Sequence, residues 1–191
     1  MDEGDDDPQA PTTAALKAIA HPLRRRILRE FQSRTALRAA DLAAALDEPA
    51  NKVSFHLRVL ADAGFLAESP ELAHDRRDRV WRIVQDGVNL GGGRHPVDDP
   101  VLGGVVLQGM VDDHNEMVRR LAGWASAYLS GDDDHAHGTF SRFGLVLTPD
   151  EFVAMLARIG EVVEEAKAAH DPEAAGSRLY EMDIIAVDDR L

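Results

Sequence analysis

The stretch NKVSFHLRVLADAGFL, residues 51–66, decides the fold that we predict for the first half of this 191-residue chain. At about 100° per residue, its aliphatic residues fall on one side of a helix and predict a buried face. These residues are Val53, Leu57 and Leu60. Gly64 suits the left-handed residue that often ends a helix. The stretch therefore predicts an amphipathic helix, which Pro49 can begin.

The opposite side of this helix presents polar, cationic and aromatic side chains. Asn51, Phe55 and Arg58 point away from the apolar stripe, and Lys52 and Ser54 flank them. An amide, a hydroxyl, an aromatic ring and two cations suit the DNA major groove, where they can contact base edges, a thymine methyl and phosphates. The alternative interpretation is an ordinary solvated helix face.

His56 is the residue of this stretch that invites a catalytic or metal-binding interpretation. It lies about 60–70° from the centre of the apolar stripe, at the edge of the predicted core. We therefore expect His56 to brace the helix and to reach a DNA phosphate from its edge.

Composition excludes several classes of function. The chain has no cysteine, so disulfides, thiolate metal sites and cysteine nucleophiles are excluded. No apolar run approaches the roughly 18 to 20 residues of a membrane span, and the acidic N-terminus is unlike a signal peptide. A cytoplasmic protein without membrane contact is expected.

Charge is distributed unevenly along the chain. The net charge is -13 overall, but residues 12–86 carry 13 Lys and Arg against 10 Asp and Glu. Residues 1–11 have five acids and no base, which predicts a disordered acidic tail. Residues 87–191 carry 8 bases against 19 acids. The only net-positive segment therefore contains the opening stretch.

The segment 12–86 predicts a fixed succession of short elements. Two helices meet at His21-Pro22, and the second, LRRRILREF, buries its aliphatic residues and leaves Arg24, Arg25, Arg26 and Arg29 mostly outward. The linking stretch SRTALR leads to a third helix around Leu42 and Leu46. The opening stretch follows as the fourth helix. FLAES and RVWRIV then predict two strands, joined by the hairpin PELAHDRRD.

This succession resembles the winged helix-turn-helix domain of ArsR-type bacterial transcriptional regulators. The resemblance covers residues 14–85 and is most specific in VSFHLRVLADAGFL and ALKAIAHPLRRRIL. It implies a homodimer whose fourth helix enters the major groove while the hairpin contacts the flanking DNA backbone or minor groove. The DNA-binding residues that the resemblance and the helical pattern together predict are Asn51, Lys52, Ser54, Phe55, His56, Arg58, Arg76, Arg77 and Arg79.

The chain departs from this family pattern at two places. Asp47 and Pro49 stand where the turn before the fourth helix usually carries a glycine and a capping serine; aspartate tolerates left-handed geometry, and proline can begin a helix. The cysteine-bearing metal-sensing motif of the arsenic sensors is missing altogether. Metalloid sensing through thiolates is therefore excluded.

The second half predicts a linker at 87–100 and a domain at 101–191. A long helix from about Val101 to Leu129 carries an a/d stripe that predicts the dimer interface. Its residues are Leu107, Met110, His114, Met117, Leu121, Trp124 and Tyr128. TFSRFGLVL and RLYEMDIIAVDD predict strands on either side of a helix that Thr148 caps. The predicted fold is mainly α with small β: a winged helix-turn-helix domain, a long dimerisation helix and a small α+β C-terminal domain.

Histidines and carboxylates in the second half offer a weak case for a metal. Asp112, Asp113 and His114 lie on the long helix, and the loop DDDHAHG, residues 132–138, carries two further histidines. Interface packing for His114 and a solvated loop tip are the favoured interpretations. We therefore predict no metal and no cofactor, and we leave metal binding by the loop open.

The predicted function is regulation of transcription by a homodimer that binds double-stranded DNA and reads a roughly palindromic operator. The acidic second half is expected to dimerise and to bind a small-molecule or protein effector. No hydrolase, metalloprotease, Walker or dinucleotide motif is present, so an enzyme is not expected. The alternatives are a winged-helix protein-protein interaction module and a repressor that responds to a metal held by His and Asp.

Overall fold

A computed structural model describes residues 11–73, 79–84, 97–133, 135, 137–171 and 174–190. Within these ranges there are six α-helices: α1 Thr13–Ile19, α2 Pro22–Glu30, α3 Ala39–Leu46, α4 Ala50–Asp62, α5 Pro100–Ser130 and α6 Pro149–Ala169. Three short strands are β1 Ala36–Arg38, β2 Leu66–Glu68 and β3 Val80–Ile83. The predicted class, a mainly α chain with a small β-sheet, a helix-turn-helix and one long helix, is confirmed.

The chain separates into two compact units, residues 1–119 and 120–191, and the division falls within α5. We call them unit 1 and unit 2. None of the helices in the described ranges combines the length and the apolar character that crossing a membrane requires.

Local signals set the ends of the first helices. The side-chain oxygen of Thr12 accepts a hydrogen bond from the backbone N–H of Ala15 and caps α1. His21 caps α2 in the same way, because its Nδ1 accepts from the N–H of Leu23 at 3.1 Å. Pro22 occupies the first turn of α2, where its missing N–H leaves no helical bond unmade.

The turn between α3 and α4 confirms that aspartate can take the place of the usual glycine. Asp47 has φ 52° and is, among the described residues, the only non-glycine with a positive φ. Pro49 is the residue before α4, as predicted from its fixed φ. Gly64, with φ 86°, follows the end of α4 and allows the chain to turn into β2.

The sheet is antiparallel in the order β1-β3-β2. The predicted pairing of β2 with β3 is confirmed and places Leu66 opposite Ile83. β1 lies in the stretch SRTALR, which we predicted only as a link between helices; Leu37 pairs with Trp81 there. This strand has three residues and exists because β3 offers it an edge, so its pattern alone could not indicate it.

The core of unit 1 lies among α1 to α4, the sheet and the first part of α5. Every aliphatic residue predicted to be buried in α4 is fully or almost fully buried. This core includes the buried face of α4 and the residues packed against it: Leu16, Ile27, Val53, Leu57, Leu60 and Phe65. This packing fixes which face of α4 remains in solvent.

The predicted outward orientation of the arginines in α2 was wrong for two of them. Arg24 and Arg25 are only partly exposed, because their guanidinium groups turn back and donate to backbone carbonyls near the end of α1. Arg24 donates to the carbonyls of Lys17 and Ala18, and Arg25 to that of Ile19 at 3.1 Å. Long arginine side chains can reach such partners from positions that a helical wheel places at the edge of the buried face.

Arg25 also joins α2 to α5. Its Nε donates to Asp113 Oδ2 at 2.7 Å, and its Nη2 donates to the carbonyl of Gly109 at 3.2 Å. A Cβ at Gly109 would lie 2.6 Å from the guanidinium carbon of Arg25, so a side chain there would displace the guanidinium group from this position. Val106, one turn earlier, is fully buried. Within unit 1, the first part of α5 thus packs on α2 through a face different from the predicted a/d stripe.

Unit 2 contains the end of α5 and α6. Thr148 and Glu151 form a capping box, since each side chain bonds the other's backbone N–H, which confirms the predicted start of α6. The segments 139–147 and 178–189, which we predicted as strands, belong to no strand. That prediction was wrong in detail: strand-forming composition yields a strand only where another strand pairs with it.

Candidate nucleic-acid interface

The solvent-facing side of α4 is the candidate interface. Asn51, Lys52, Phe55 and Arg58 are exposed, and Ser54 is partly exposed. Phe55 has 56% of its surface accessible, a large value for an aromatic ring one residue away from a buried histidine. The exposed ring adds an apolar contact surface to an otherwise polar helix face.

Local contacts hold these side chains in place without burying them. The Nε of Arg58 donates to the carbonyl of Ser54 at 3.2 Å. Lys52 Nζ donates to Glu48 at 2.8 Å, and this hydrogen bond holds the pKa of the Glu48 carboxyl below its ordinary value. Asn51 accepts a hydrogen bond from the N–H of Lys52. All three polar groups retain sides that face solvent.

A groove of about 460 Å³ adjoins this face between α3, α4 and the sheet. Its lining combines small residues that leave room for a ligand with two cations and a hydroxyl: Ala39, Ala40, Ala50, Ser54, Arg58, Arg79 and Trp81. Sequence patterns did not single out this groove, because its walls bring α3 and α4 together with Arg79 and Trp81, which lie more than 15 residues further along the chain. The alanine run of α3 was the signal that could have indicated it.

Of the three arginines predicted at the hairpin, the structure describes one. Arg79 lines the groove, and its Nε lies 3.7 Å from a carboxylate oxygen of Glu68. Arg76 and Arg77 fall outside the described residues. The structure therefore brings Arg79 together with Ser54 and Arg58, on the side of α4 that faces the sheet.

His56 does not belong to the exposed face. Only 5% of its surface is accessible, and its ring lies against His21, with 4.4 Å between the ring centroids. Arg24 Nη1 lies 3.4 Å from its Nδ1. A guanidinium can only donate, so this contact requires that Nδ1 carry no proton. His56 thus braces α4 against α2, as predicted, from a more buried position than the helical pattern indicated.

Burial lowers the pKa of both histidines. For His56 the nearby His21 and Arg24 lower the pKa further, and for His21 Arg24 and Lys52 do so. Glu48 acts in the opposite direction on His56 but more weakly. Both shifts favour the neutral form of the rings, the form in which Nδ1 can accept a hydrogen bond.

We expect the stability of the chain to fall with pH below about 6.5, the ordinary histidine value. Because the pKa values of His21 and His56 are lowered in the folded state, the unfolded state binds more protons there, and the free energy of unfolding decreases as pH falls. Above that pH both states are neutral at these positions, and the dependence disappears. Urea unfolding at pH 5.5 and 7.5 measures the difference.

The matched control is the double variant His21→Asn, His56→Gln. Asparagine keeps a cap acceptor for α2, and neither replacement titrates. The free energy of unfolding of this control should differ less between the two pH values than that of the natural chain. Equal differences in both proteins would contradict the assignment of this pH dependence to the histidine pair.

Comparison with known proteins identifies the domain. Residues 19–68 match a family model described as a helix-turn-helix domain. This region carries a helix-turn-helix domain. The match spans α2, α3, α4 and β2, and together with the β2-β3 hairpin it confirms the predicted winged helix-turn-helix, a DNA-binding module found in transcriptional regulators.

Similar solved structures include two that cover much of the chain. The crystal structure of the AntR antimony-specific transcriptional repressor has 24% sequence identity to this chain and a TM-score of 0.34. The match covers 59% of this chain and 91% of the AntR chain. The crystal structure of the YusO protein from Bacillus subtilis has 17% sequence identity and a TM-score of 0.34. This match covers 82% of this chain and 81% of the YusO chain. No curated protein matches. Because both TM-scores are low, the identification of the helix-turn-helix domain rests on its observed helices and strands and on the family match.

The remaining predicted sites lie on α5 and the loop after it. Leu107, Met110 and Tyr128 of the predicted dimer stripe are exposed, and His114, Met117, Leu121 and Trp124 are partly covered. In the loop, His137 Nε2 lies 3.2 Å from Asp133 Oδ2, and His135 Nδ1 lies 3.8 Å from the other carboxylate oxygen. The described part of the chain has no group of three or more His, Asp or Glu residues that could hold a metal ion.

Proposed function

We propose that this protein is a cytoplasmic, homodimeric transcriptional regulator that inserts α4 into the DNA major groove. The observation that carries the proposal is the face of α4 formed by Asn51, Lys52, Ser54, Phe55 and Arg58, which stays in solvent on a helix-turn-helix domain while the opposite face is buried. A rigid helix with this composition has the size and chemistry for base recognition.

Each side chain of the face has a distinct part in DNA recognition. Arg58 can donate two hydrogen bonds to a guanine edge, and Asn51 can pair with an adenine edge. Phe55 can cover a thymine methyl group with its exposed ring. Lys52 and Ser54 can bind phosphates, and Lys52 then exchanges Glu48 for the DNA backbone.

The hairpin and the groove extend the interface beyond α4. Arg79 lines the groove beside Arg58 and supplies a cation for the DNA backbone. We propose the same part for Arg76 and Arg77, which continue the hairpin sequence. His56 acts indirectly, since it positions α4 on α2 and keeps little exposed surface for DNA.

The charge distribution favours one mode of approach to DNA. The segment that contains the domain has the only net-positive charge, whereas residues 87–191 have 8 bases against 19 acids. DNA is therefore attracted to the face of α4 and the hairpin and repelled by the acidic second half. A neutral protein-protein interface would not need cations both on α4 and on the hairpin, so DNA is favoured over the protein-interaction module.

The a/d stripe of α5 supports a homodimer, since Leu107, Met110 and Tyr128 leave apolar surface exposed on a helix that uses Val106 to pack on its own domain. A two-fold dimer places two copies of α4 in successive major grooves of a roughly palindromic operator. The acidic half then serves dimerisation and the binding of an effector. Catalysis has no part in this proposal.

Selection of genomic fragments by the purified protein tests the proposal, because it measures DNA binding and reports the operator together. We expect Arg58→Ala to weaken binding to the selected operator by about 1 to 3 kcal/mol and to relax the preference at one base position. The reason is the loss of a two-point contact to a base edge. Titration of labelled operator at fixed salt measures the change.

Arg119→Ala is the charge-matched control, since Arg119 is an exposed arginine of α5 that forms an ion pair with Glu116. It should bind the operator like the natural protein. If no fragment is retained above background, or if both variants lose the same affinity, α4 is not the reading helix and the proposal fails.

A further inference from the structure

Unit 2 has no core of its own. None of its described residues is buried, and α6 has no buried residue along its length. Phe143 has 81% of its surface exposed, and Val146 is fully exposed at 103%. A folded unit of this size ordinarily buries most of its aliphatic and aromatic side chains. The missing cover must therefore come from outside the unit.

The segment TFSRFGLVL, residues 139–147, is the most apolar uncovered part of unit 2. It has the composition of a strand but belongs to no sheet, and no backbone-backbone hydrogen bond joins it to another described residue. None of its residues, Gly144 included, has a positive φ, so its backbone is compatible with strand pairing. An uncovered strand-forming segment of this kind is a template for another strand.

The sequence of the segment is suited to pairing with a second copy of itself. Arg142 is its only charged residue. In an antiparallel pair centred on Phe143, Arg142 lies opposite Gly144, and Phe140 lies opposite Val146. No like charges oppose each other, and aromatic and β-branched side chains face one another, which favours such pairs. The second uncovered segment, 178–187, carries Arg178, Glu181 and Asp183 and is less apolar.

The position of the segment also favours a second copy over an unrelated partner. His137, just before it, packs edge-on against Trp124, with 5.8 Å between ring centroids. A Cβ at Gly138 would lie 3.0 Å from a methyl carbon of Leu121. Both Leu121 and Trp124 belong to the a/d stripe of α5. The segment therefore begins beside the surface that we propose for dimerisation, and a two-fold axis there brings two copies of it together.

We infer that residues 139–147 of two copies pair as antiparallel strands about a two-fold axis at Phe143, so that a second copy of this chain covers unit 2. The inference rests on the homodimer of the proposed function and adds the segment that joins the copies. It makes unit 2, and not only the helical stripe, the source of dimer stability.

Cysteine cross-linking tests the pairing, because the natural chain contains no cysteine. Directly opposed residues of an antiparallel pair have Cα atoms about 4.5–5.5 Å apart, within the range that a disulfide spans. We expect Phe143→Cys to convert most of the protein into a covalent dimer under mild oxidation. Val162→Cys, at an exposed position of α6, should remain largely monomeric on a denaturing gel.

The register has its own check. Phe140→Cys protein mixed with Val146→Cys protein should form a covalent heterodimer faster than either protein links to itself. Equal rates for all three combinations would overturn the register, and failure of Phe143→Cys to exceed Val162→Cys would overturn the inference.

A charge in the segment supplies a second measurement that does not depend on oxidation. Val146→Glu changes a fully exposed side chain, so the helix content of the chain should stay unchanged while the dimer dissociation constant rises at least about 10-fold in sedimentation experiments. If instead Val146→Glu dimerises normally and Leu107→Glu does not, the homodimer stands but the inference fails. If the natural chain is monomeric at micromolar concentration, both fail; cross-linking without operator binding defeats only the proposed function.

Discussion

Phe65→Ala is expected to destabilise the helix-turn-helix domain by about 3 to 5 kcal/mol, the usual cost of removing a buried phenylalanine ring. Phe65 is fully buried between the end of α4 and the start of β2. Its backbone also links the two elements, since its N–H donates to Leu60 and its carbonyl accepts from Val84. The free energy of unfolding of a small domain is about 5 to 15 kcal/mol in total, so this variant loses much of its stability.

Urea unfolding followed by circular dichroism measures this loss, and Phe55→Ala is the matched control. Phe55 has 56% of its surface exposed, so its truncation should leave the free energy of unfolding within about 0.5 kcal/mol of the natural value. The same control should weaken operator binding if Phe55 contacts DNA. A similar loss of stability in both variants would show that the ring of Phe65 does not carry the core.

Arg25→Ala is expected to cost about 3 kcal/mol and to loosen α5 from the helix-turn-helix domain. The variant removes the donors to Asp113 and to the carbonyls of Ile19 and Gly109. The side chain of Arg25 is 13% exposed and that of Asp113 is 34% exposed. Breaking a buried ion pair costs about 3 to 5 kcal/mol, and solvent at Asp113 places this pair at the lower end.

The control for Arg25 is Arg38→Ala. Arg38 also binds a carboxylate, that of Asp41 at 2.9 Å, but both side chains are well exposed, and such pairs contribute about 0 to 1 kcal/mol. Amide hydrogen exchange should show faster exchange along the first turns of α5 only for Arg25→Ala. If the two variants have equal stabilities and exchange rates, Arg25 does not hold α5 in place.

Local patterns predicted most of the helix-turn-helix domain. The buried stripe of α4, the left-handed residues Asp47 and Gly64, and the capping box at Thr148 are all properties of short sequence neighbourhoods. Helical spacing and cap chemistry act within a few residues, so one sequence suffices to read them. The same helical spacing also predicted which face of α4 is exposed.

The features that sequence could not predict depend on distant residues. β1 forms because β3 pairs with it across more than 40 residues of chain, and the groove beside Arg58 needs α3, α4 and the sheet together. The burial of Arg24 and Arg25 depends on carbonyls at the end of α1 and, for Arg25, on α5. Strand-forming composition at 139–147 gave the wrong element because pairing requires a partner strand.

The contact between Arg25 and Asp113 spans 88 residues and has a consequence for the order of synthesis. At about 5 to 20 residues per second, Asp113 is added roughly 4 to 18 seconds after Arg25. Small domains fold within microseconds to seconds, so α1 to α4 and the sheet can pack together while α5, which adds Val106 to their core, is still being made. The first part of α5 then docks on a surface that already exists, and α4, the helix that we propose for DNA recognition, is assembled before the segments that we propose for dimerisation are complete.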